Sequence, residues 1–149
     1  MLFRSCGGDS FLESSGVRRW DADRYFSGGS TYADGTNDIG GTIDDILYHT
    51  ERNGEFKYEI PVPTGSYEVV LHFAELYWKE VGQRKFNIKV EESLAFENVD
   101  IVAIGGGQRL QAFTLEHPVV ITDGFVSIEI LDSKPKIDMP KLSDRKSVV

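Results

Sequence analysis

This sequence is poor in cysteine, histidine and long apolar runs, and each shortage removes a class of protein. Cys6 is the single cysteine in 149 residues, which excludes an internal disulfide and a cysteine-based zinc site. The three histidines are scattered, without the His-x-His or His-x-x-x-His pair that would begin a zinc site. No apolar run approaches the length of a membrane span, so we expect no membrane insertion. We also expect no signal peptide, and the compartment stays open between the cytoplasm and a fragment of a larger secreted or endomembrane protein.

Positive charge is scarce too, because 16 Lys and Arg stand against 24 Asp and Glu, a formal net charge of -8. Nucleic acids and anionic membranes attract clustered Lys and Arg, so we expect neither as the main partner. Motifs for covalent catalysis are missing as well, since no Gly-x-Ser-x-Gly elbow occurs and Cys6 lies outside any recognisable nucleophile motif. We therefore predict that the chain is not an enzyme and that it needs no cofactor.

The composition is that of one folded domain, with 40% apolar and 27% charged residues in 149. We predict a single domain over residues 1–142 and a disordered tail over 143–149. Residues 7–55 are rich in Gly, Ser, Asp and Asn, which predicts long loops. Helical periodicity is nearly absent, and only 44–52 and 99–104 have room for a helical turn.

From residue 56 onward the pattern changes to short apolar or alternating runs that are separated by turn signals. Such spacing predicts an all-β fold, an antiparallel β-sandwich or jelly roll, because no crossover helices are available for a parallel sheet. The predicted strands are 56–62, 67–77, 85–90, 94–96, 110–115, 119–121 and 125–131.

Carboxylates are concentrated in the predicted loops and at the end of the main strand, where Glu75 lies. Paired carboxylates could hydrolyse a glycoside, but that chemistry needs two of them facing each other across a cleft. A structural calcium ion is a further alternative, although no pair has the spacing of an EF-hand loop. Solvated loops and Asx-turns explain the same residues, which are Asp21, Asp23, Asp38, Asp44 and Asp45.

Aromatic residues give a stronger signal, because Tyr77 and Trp78 are adjacent at a strand end and are followed by charged residues. Two such rings are difficult to bury together, and flat rings are what a sugar site needs for the apolar faces of a pyranose. Trp20 and the pair Tyr25-Phe26 are interpreted instead as plugs that pin a long loop to the core. Arg52 has two open roles, an ion pair with a loop carboxylate or direct contact with a ligand.

Four ordered phrases resemble one family, the malectin domains. They are the segments 20–32 (WDADRYFSGGSTY), 47–52 (LYHTER), 67–78 (YEVVLHFAELYW) and 119–124 (VVITDG). The resemblance begins near Cys6 and weakens after Asp132. It implies a jelly-roll β-sandwich that binds carbohydrate without catalysis, typically glucose-containing oligosaccharides, and that is often attached to further domains of a larger protein.

The resemblance also implies site residues. The family's stacking aromatics match Tyr32, Tyr77 and Trp78, and its acidic Asp-Asn-Pro-Lys type motif is assigned to the segment 132–136, with Asp132 as the acid. An aromatic that often follows Thr-Glu-Arg is replaced by Asn53, which removes a stacking surface. The predicted carbohydrate-binding rim is therefore Tyr32, Arg52, Asn53, Glu75, Tyr77, Trp78 and Asp132. The alternative function is a protein-interaction or oligomerisation module on the same sandwich with its sugar site lost.

Overall fold

The computed structural model describes residues 2–132, 141–143 and 145–148, with side chains from 4 to 132. Its elements are almost all β-strands, apart from a 3₁₀ turn at Asp45–Tyr48 and the single-turn helix α1 at Ile101–Ile104. The strands are β1 Leu2–Ser5, β2 Phe11–Leu12, β3 Arg19–Trp20, β4 Phe26–Ala33, β5 Thr50–Pro61, β6 Gly65–Phe73, β7 Phe86–Val90, β8 Ser93–Val99, β9 Phe113–Ile121, β10 Phe125–Asp132, β11 Lys141–Ser143 and β12 Arg145–Val148. This confirms the predicted all-β class.

Two antiparallel sheets form the layers of the sandwich. One has the strand order β1-β12-β6-β9, and the other has the order β11-β5-β10-β7-β8, with β4 also paired to β5. Period-2 alternation directs Val69, Leu71 and Phe73 of β6 into the core, where all three are fully buried. They meet apolar side chains of the second sheet, among them Phe56, Tyr58, Ile60, Phe86, Ile88, Val126, Ile128 and Ile130.

A smaller apolar cluster covers the outer face of β6. The Trp20 ring lies edge-on to His72, with centroids 5.3 Å apart, and the Tyr48 hydroxyl lies 3.2 Å from His72 Nδ1. Trp20 and Tyr48 are buried beside Leu47, Ala74 and Leu76. This confirms Trp20 as a core plug.

Several predicted boundaries differ from the structure. The glycine-rich segment predicted as loop contains β4, an eight-residue edge strand that pairs with β5 from Phe26↔Tyr58 to Ala33↔Thr50. The strand predicted to reach Tyr77 ends at Phe73, and the pieces predicted at 110–115 and 119–121 form the single strand β9. Tyr25 and Phe26 are exposed rather than buried as plugs.

The C-terminal segment also differs from the prediction. Instead of a disordered tail over 143–149, the structure has β12 at Arg145–Val148, which pairs with β1 on one side and β6 on the other. Backbone pairing between two strands supplies hydrogen bonds that a short polar segment does not reveal in its sequence. No helix in the described ranges is long and apolar enough to cross a membrane.

Candidate functional site

Three aromatic rings, one from β4 and two from the loop after β6, meet at the surface, and we call them the ring cluster: Tyr32, Tyr77 and Trp78. The Tyr77 and Trp78 rings are nearly perpendicular, at 87°, with centroids 5.0 Å apart. Tyr32 lies on β4, and its ring meets Tyr77 at 84° with centroids 6.4 Å apart. Tyr77 is 59% exposed and Tyr32 is 37% exposed, while Trp78 is half-buried. The cluster is therefore open to a ligand.

Glu75 explains why the two adjacent rings lie side by side. Its carboxylate Oε1 accepts hydrogen bonds from the backbone N–H groups of Tyr77, at 2.9 Å, and Trp78, at 3.1 Å. The chain turns around the carboxylate instead of continuing β6, so the rings do not point to opposite faces of a strand. Glu75 is buried, and its Oε2 lies 3.1 Å from Arg84 Nε. Its position beneath the turn makes it a support for the rings.

Four further hydrogen bonds hold the loop after β6. Arg109 Nη1 donates to the Leu76 carbonyl at 3.0 Å, and Leu110 N–H donates to the Glu75 carbonyl at 2.9 Å. Gln83 Oε1 accepts from the N–H groups of Lys79 and Glu80, at 3.0 and 2.8 Å. Each of these hydrogen bonds removes freedom from the loop, so the rings are positioned before a ligand arrives.

A depression of about 390 Å³ lies beside Tyr77 and Trp78, and we call it the ring depression. The remaining lining residues are Lys79, Glu80 and Gln83, so polar groups border the aromatic surface. Its volume falls within the usual range for small-molecule sites. One cation, one carboxylate and one amide leave this lining without net charge.

The strand pair β4–β5 separates two of the predicted site residues. Ser30 pairs with Asn53 and Thr31 pairs with Arg52. Residues opposite each other on paired strands share a face, and neighbours along a strand alternate, so Asn53 lies on the face of Tyr32 and Arg52 on the other. The structure thus brings Asn53 toward the ring cluster and removes Arg52 from it.

Arg52 forms a buried ion pair with Asp23. An ion pair with a loop carboxylate was one of the two roles considered for it. Its Nε and Nη2 donate to Asp23 Oδ2 at 3.0 and 2.7 Å, and Nη1 donates to the Gly28 carbonyl at 3.0 Å. Tyr58 donates to Asp23 Oδ1 at 2.5 Å. Burial opposes the charge of Arg52, but the hydrogen bonds and charge of Asp23 outweigh it and raise the Arg52 pKa. Burial, together with Cys6 and Asp23, raises the pKa of Tyr58 strongly.

Asp132 lies apart from the lining of the ring depression. It ends β10, pairs with Phe86 of β7, and its backbone N–H donates to Glu55 Oε1 at 3.3 Å. The other residues of the motif assigned to it, 133–136, lie outside the described residues. On the far side of this gap, Lys141 of β11 pairs with Asn53.

Three of the loop carboxylates, Asp21, Asp23 and Asp44, are engaged in internal contacts. Arg4 and Arg24 pair with Asp21, while Asp44 accepts from the Ser14 N–H at 2.9 Å. Within the ranges that the structure describes, no group of three or more His, Cys, Asp or Glu side chains could hold a metal ion. Glu80 is the one carboxylate among the described residues that line the ring depression.

Residues 1–144 of the 149-residue chain match one family model, the malectin domain. The chain belongs to the malectin domain family. This is a carbohydrate-binding, lectin-like family. The chain is 41% identical to malectin-B of Xenopus laevis over 61 residues, which are 39% of its length. It is 28% identical to the kinesin-like protein KIN-14E of Oryza sativa subsp. japonica over 138 residues, which are 87% of its length. The chain spans only 22% and 12% of the length of these two relatives.

Solved structures share the malectin-like fold at low sequence identity. The ANX2 ectodomain of Arabidopsis thaliana superposes with a TM-score of 0.87 at 20% identity, covering 99% of this chain and 49% of that one. A β-glucuronidase of Bacteroides uniformis superposes with a TM-score of 0.77 at 18% identity, covering 97% of this chain and 17% of the enzyme. At such identities the likeness concerns the fold alone.

Sequence reasoning missed most of the support beneath this malectin domain's ring cluster. Arg84 lies nine residues after Glu75 and Arg109 lies 33 residues after Leu76, and no motif in the sequence marks either as a partner of the segment after β6. Glu75 was identified, but as a rim residue. A signal for this turn was present in the sequence, because Glu75 precedes Tyr77 by two residues and Trp78 by three, the spacing at which its carboxylate accepts from both N–H groups.

Proposed function

We propose that this malectin domain is a non-catalytic module that binds a neutral, glucose-containing oligosaccharide on the ring cluster. The observation that carries this proposal is the perpendicular pair Tyr77-Trp78, held open to solvent by the Glu75 carboxylate and extended by Tyr32. A pyranose has apolar C–H faces that pack on flat rings and a rim of hydroxyls that needs hydrogen-bonding partners. Both kinds of surface adjoin here.

The polar groups around the ring depression suit a neutral ligand. Lys79, Glu80 and Gln83 can donate to and accept from hydroxyls, and their formal charges cancel. Asn53, on the face of Tyr32, adds an amide that both donates and accepts. Because the chain carries a formal net charge of -8, an anionic glycan would be repelled by the surrounding field.

The carboxylate arrangement favours binding over hydrolysis. A glycosidase mechanism needs an acid and a second carboxylate on either side of the scissile bond. Glu75, the most suggestive carboxylate in the sequence, is buried under the turn and faces Arg84. Glu80 then has no facing carboxylate among the described lining residues, which supports a module without catalysis.

We propose two candidates for the acidic residue that contacts the sugar, Asp132 and Asp138. The family's Asp-Asn-Pro-Lys type motif fits residues 138–141, Asp-Met-Pro-Lys, without the extra residue that 132–136 requires. Lys141 pairs with Asn53, which lies on the face of Tyr32, whereas Asp132 pairs with Phe86. Asp132→Asn and Asp138→Asn, compared by calorimetry with the same sugar, distinguish the two, since only the ligand residue should weaken binding.

The central experiment is a glycan array followed by calorimetry with maltose, nigerose and longer glucans. Trp78→Ala should weaken binding about tenfold or more, because it removes a stacking surface and its buried area. Phe125→Ala is the control, as it removes an exposed ring, 47% exposed, from the start of β10, outside the ring depression. Equal binding by wild type and Trp78→Ala would refute the stacking mechanism, and no binding to any glucan would refute the ligand class.

A protein-interaction module on the same surface is the second candidate function. Tyr77 and Val81 are both more than half exposed in one loop, and position 53 lacks a ring. Exposed apolar groups of this kind also suit a protein contact. Sedimentation of the wild type and of Trp78→Ala separates the readings, because self-association that the variant abolishes would favour this candidate over the sugar.

A further inference from the structure

A second depression, of about 360 Å³, lies on the other side of β4. Thr31 lines it, while the next residue, Tyr32, belongs to the ring cluster, and successive strand residues point to opposite faces. We call it the threonine depression, after Thr31 and Thr50. Its other lining residues include Gly7, Gly8, Asp9 and Phe26.

The wall at Gly7 and Gly8 has no room for side chains. A Cβ on Gly7 would lie 2.4 Å from the Glu51 carbonyl oxygen, and Gly7 has a φ of +76°. A Cβ on Gly8 would lie 2.5 Å from Thr50 Oγ1. Glycine at both positions lets the chain pass close to Thr50 and Glu51 without filling the depression, while the Gly7 N–H donates to Asp23 Oδ2 and the Gly8 carbonyl accepts from the Asp23 N–H.

The buried charged pair Asp23–Arg52 also lines the depression, and both side chains already have partners. Asp23 accepts from the Gly7 N–H at 2.9 Å, from Tyr58 at 2.5 Å and from Arg52, which leaves the ion pair neutral toward a ligand. Asp9 is the exposed charge of the lining. One carboxylate is too few to hold a metal ion, and its sign disfavours an anion.

An aromatic surface completes the composition. Phe26 is 43% exposed, with the Arg52 guanidinium 3.5 Å from its ring centroid. Stacking on a guanidinium fixes the ring orientation without covering the whole ring. The depression therefore combines a fixed ring, the Thr31 hydroxyl, one carboxylate acceptor and the Thr50 hydroxyl, which donates to the Cys6 carbonyl and can still accept. A hydroxylated ring requires groups of these kinds.

We propose that the threonine depression is a second binding site for a neutral sugar, so that the domain carries sugar sites on both sides of β4. The choice of sugar as ligand rests on the proposed function, whereas the existence of this site is independent of the ring cluster. Two sites on opposite faces would allow one domain to engage two glycan chains and to gain avidity on a polysaccharide surface.

The test is a titration of ¹⁵N-labelled protein with maltose and nigerose, followed by amide chemical shifts. Shifts at Gly7, Gly8 and Thr50 report on the threonine depression, and those at Tyr77 and Lys79 report on the ring depression. We expect two groups of amides with separate dissociation constants. Thr31→Ala should weaken binding in the first group about three- to tenfold, the effect of one lost hydrogen bond, and leave the second unchanged.

Two variants and a control keep the outcomes distinct. Asp9→Asn repeats the test at a second exposed residue, and Thr114→Ala removes an exposed threonine hydroxyl from β9, outside both depressions. Shifts confined to Tyr77 and Lys79 would overturn the second site and leave the proposed function standing. Shifts confined to Gly7, Gly8 and Thr50 would support the second site and overturn sugar binding at the ring cluster. No shifts in either group would overturn both.

Discussion

The two depressions flanking β4 use their charged residues in the same way, although their surfaces differ. Beside the ring depression, Glu75 is buried against Arg84 and fixes a turn. Beneath the threonine depression, Arg52 is buried against Asp23 and fixes the adjoining loop. Aromatic rings face the solvent on one side of β4 and the Thr31 hydroxyl on the other, each with a few exposed charged side chains nearby. Glu75 and Arg52, which the sequence predicted as part of the binding rim, are therefore buried residues that support the two surfaces.

The largest expected effect comes from breaking the support of the threonine depression with Arg52→Leu. It leaves Asp23 buried without its cation, and we expect a loss of about 3 to 5 kcal/mol in the free energy of unfolding, measured by urea denaturation. Lys57→Leu is the control, because it breaks an exposed pair with Glu59 and should change stability little. A small effect of Arg52→Leu would show that the pair does not support the fold.

Glu75→Gln should break the support of the ring depression with a smaller loss. The amide oxygen can still accept from the Tyr77 and Trp78 N–H groups, but the charge facing Arg84 disappears. We expect about 1.5 to 3 kcal/mol of lost stability and weaker sugar binding at the ring cluster. Amide shifts at Gly7 and Gly8 should be unaffected, so a parallel loss at both depressions would contradict their independence.

Alkaline pH should act on the threonine side of β4 through Tyr58. Its folded-state pKa is raised by burial and by its neighbours Cys6 and Asp23. A raised tyrosine pKa stabilises the fold below the unfolded value of about 10, and that contribution falls by about 1.4 kcal/mol per pH unit above it. Tyr58→Phe cannot ionise there, so its unfolding free energy should fall less steeply between the unfolded pKa and higher pH than that of the wild type. Parallel profiles would contradict this assignment.

Elements of the fold could be predicted from the sequence where their pattern lies within one short segment. The alternation of Val69, Leu71 and Phe73 predicted a half-buried strand, and the structure confirms it. β4 was missed because its glycine-rich sequence has no apolar face, and its pairing with β5 supplies the stability. Propensity is a weak guide for such an edge strand.

The same distinction applies to the site. Tyr77 and Trp78 were recognisable as a local pair at a strand end, and Tyr32 only through the family resemblance. Arg84 is nine residues from Glu75 and is paired with it only by the fold. The face of Arg52 could not be predicted without the register of β4 on β5. Non-local contacts of this kind have no period or motif in the sequence.

The smallest expected effect comes from adding an aromatic ring at position 53, which tests whether the two sides of β4 bind independently. Asn53 lies on the face of Tyr32, so Asn53→Tyr should extend the ring cluster without touching the threonine depression. We expect binding of nigerose to tighten by about two- to tenfold, the contribution of one more stacking contact, measured by calorimetry. Asn53→Leu controls for added apolar area, since it provides bulk without a flat face. Equal gains from tyrosine and leucine would show that apolar contact, and not stacking, determines affinity at this face of β4.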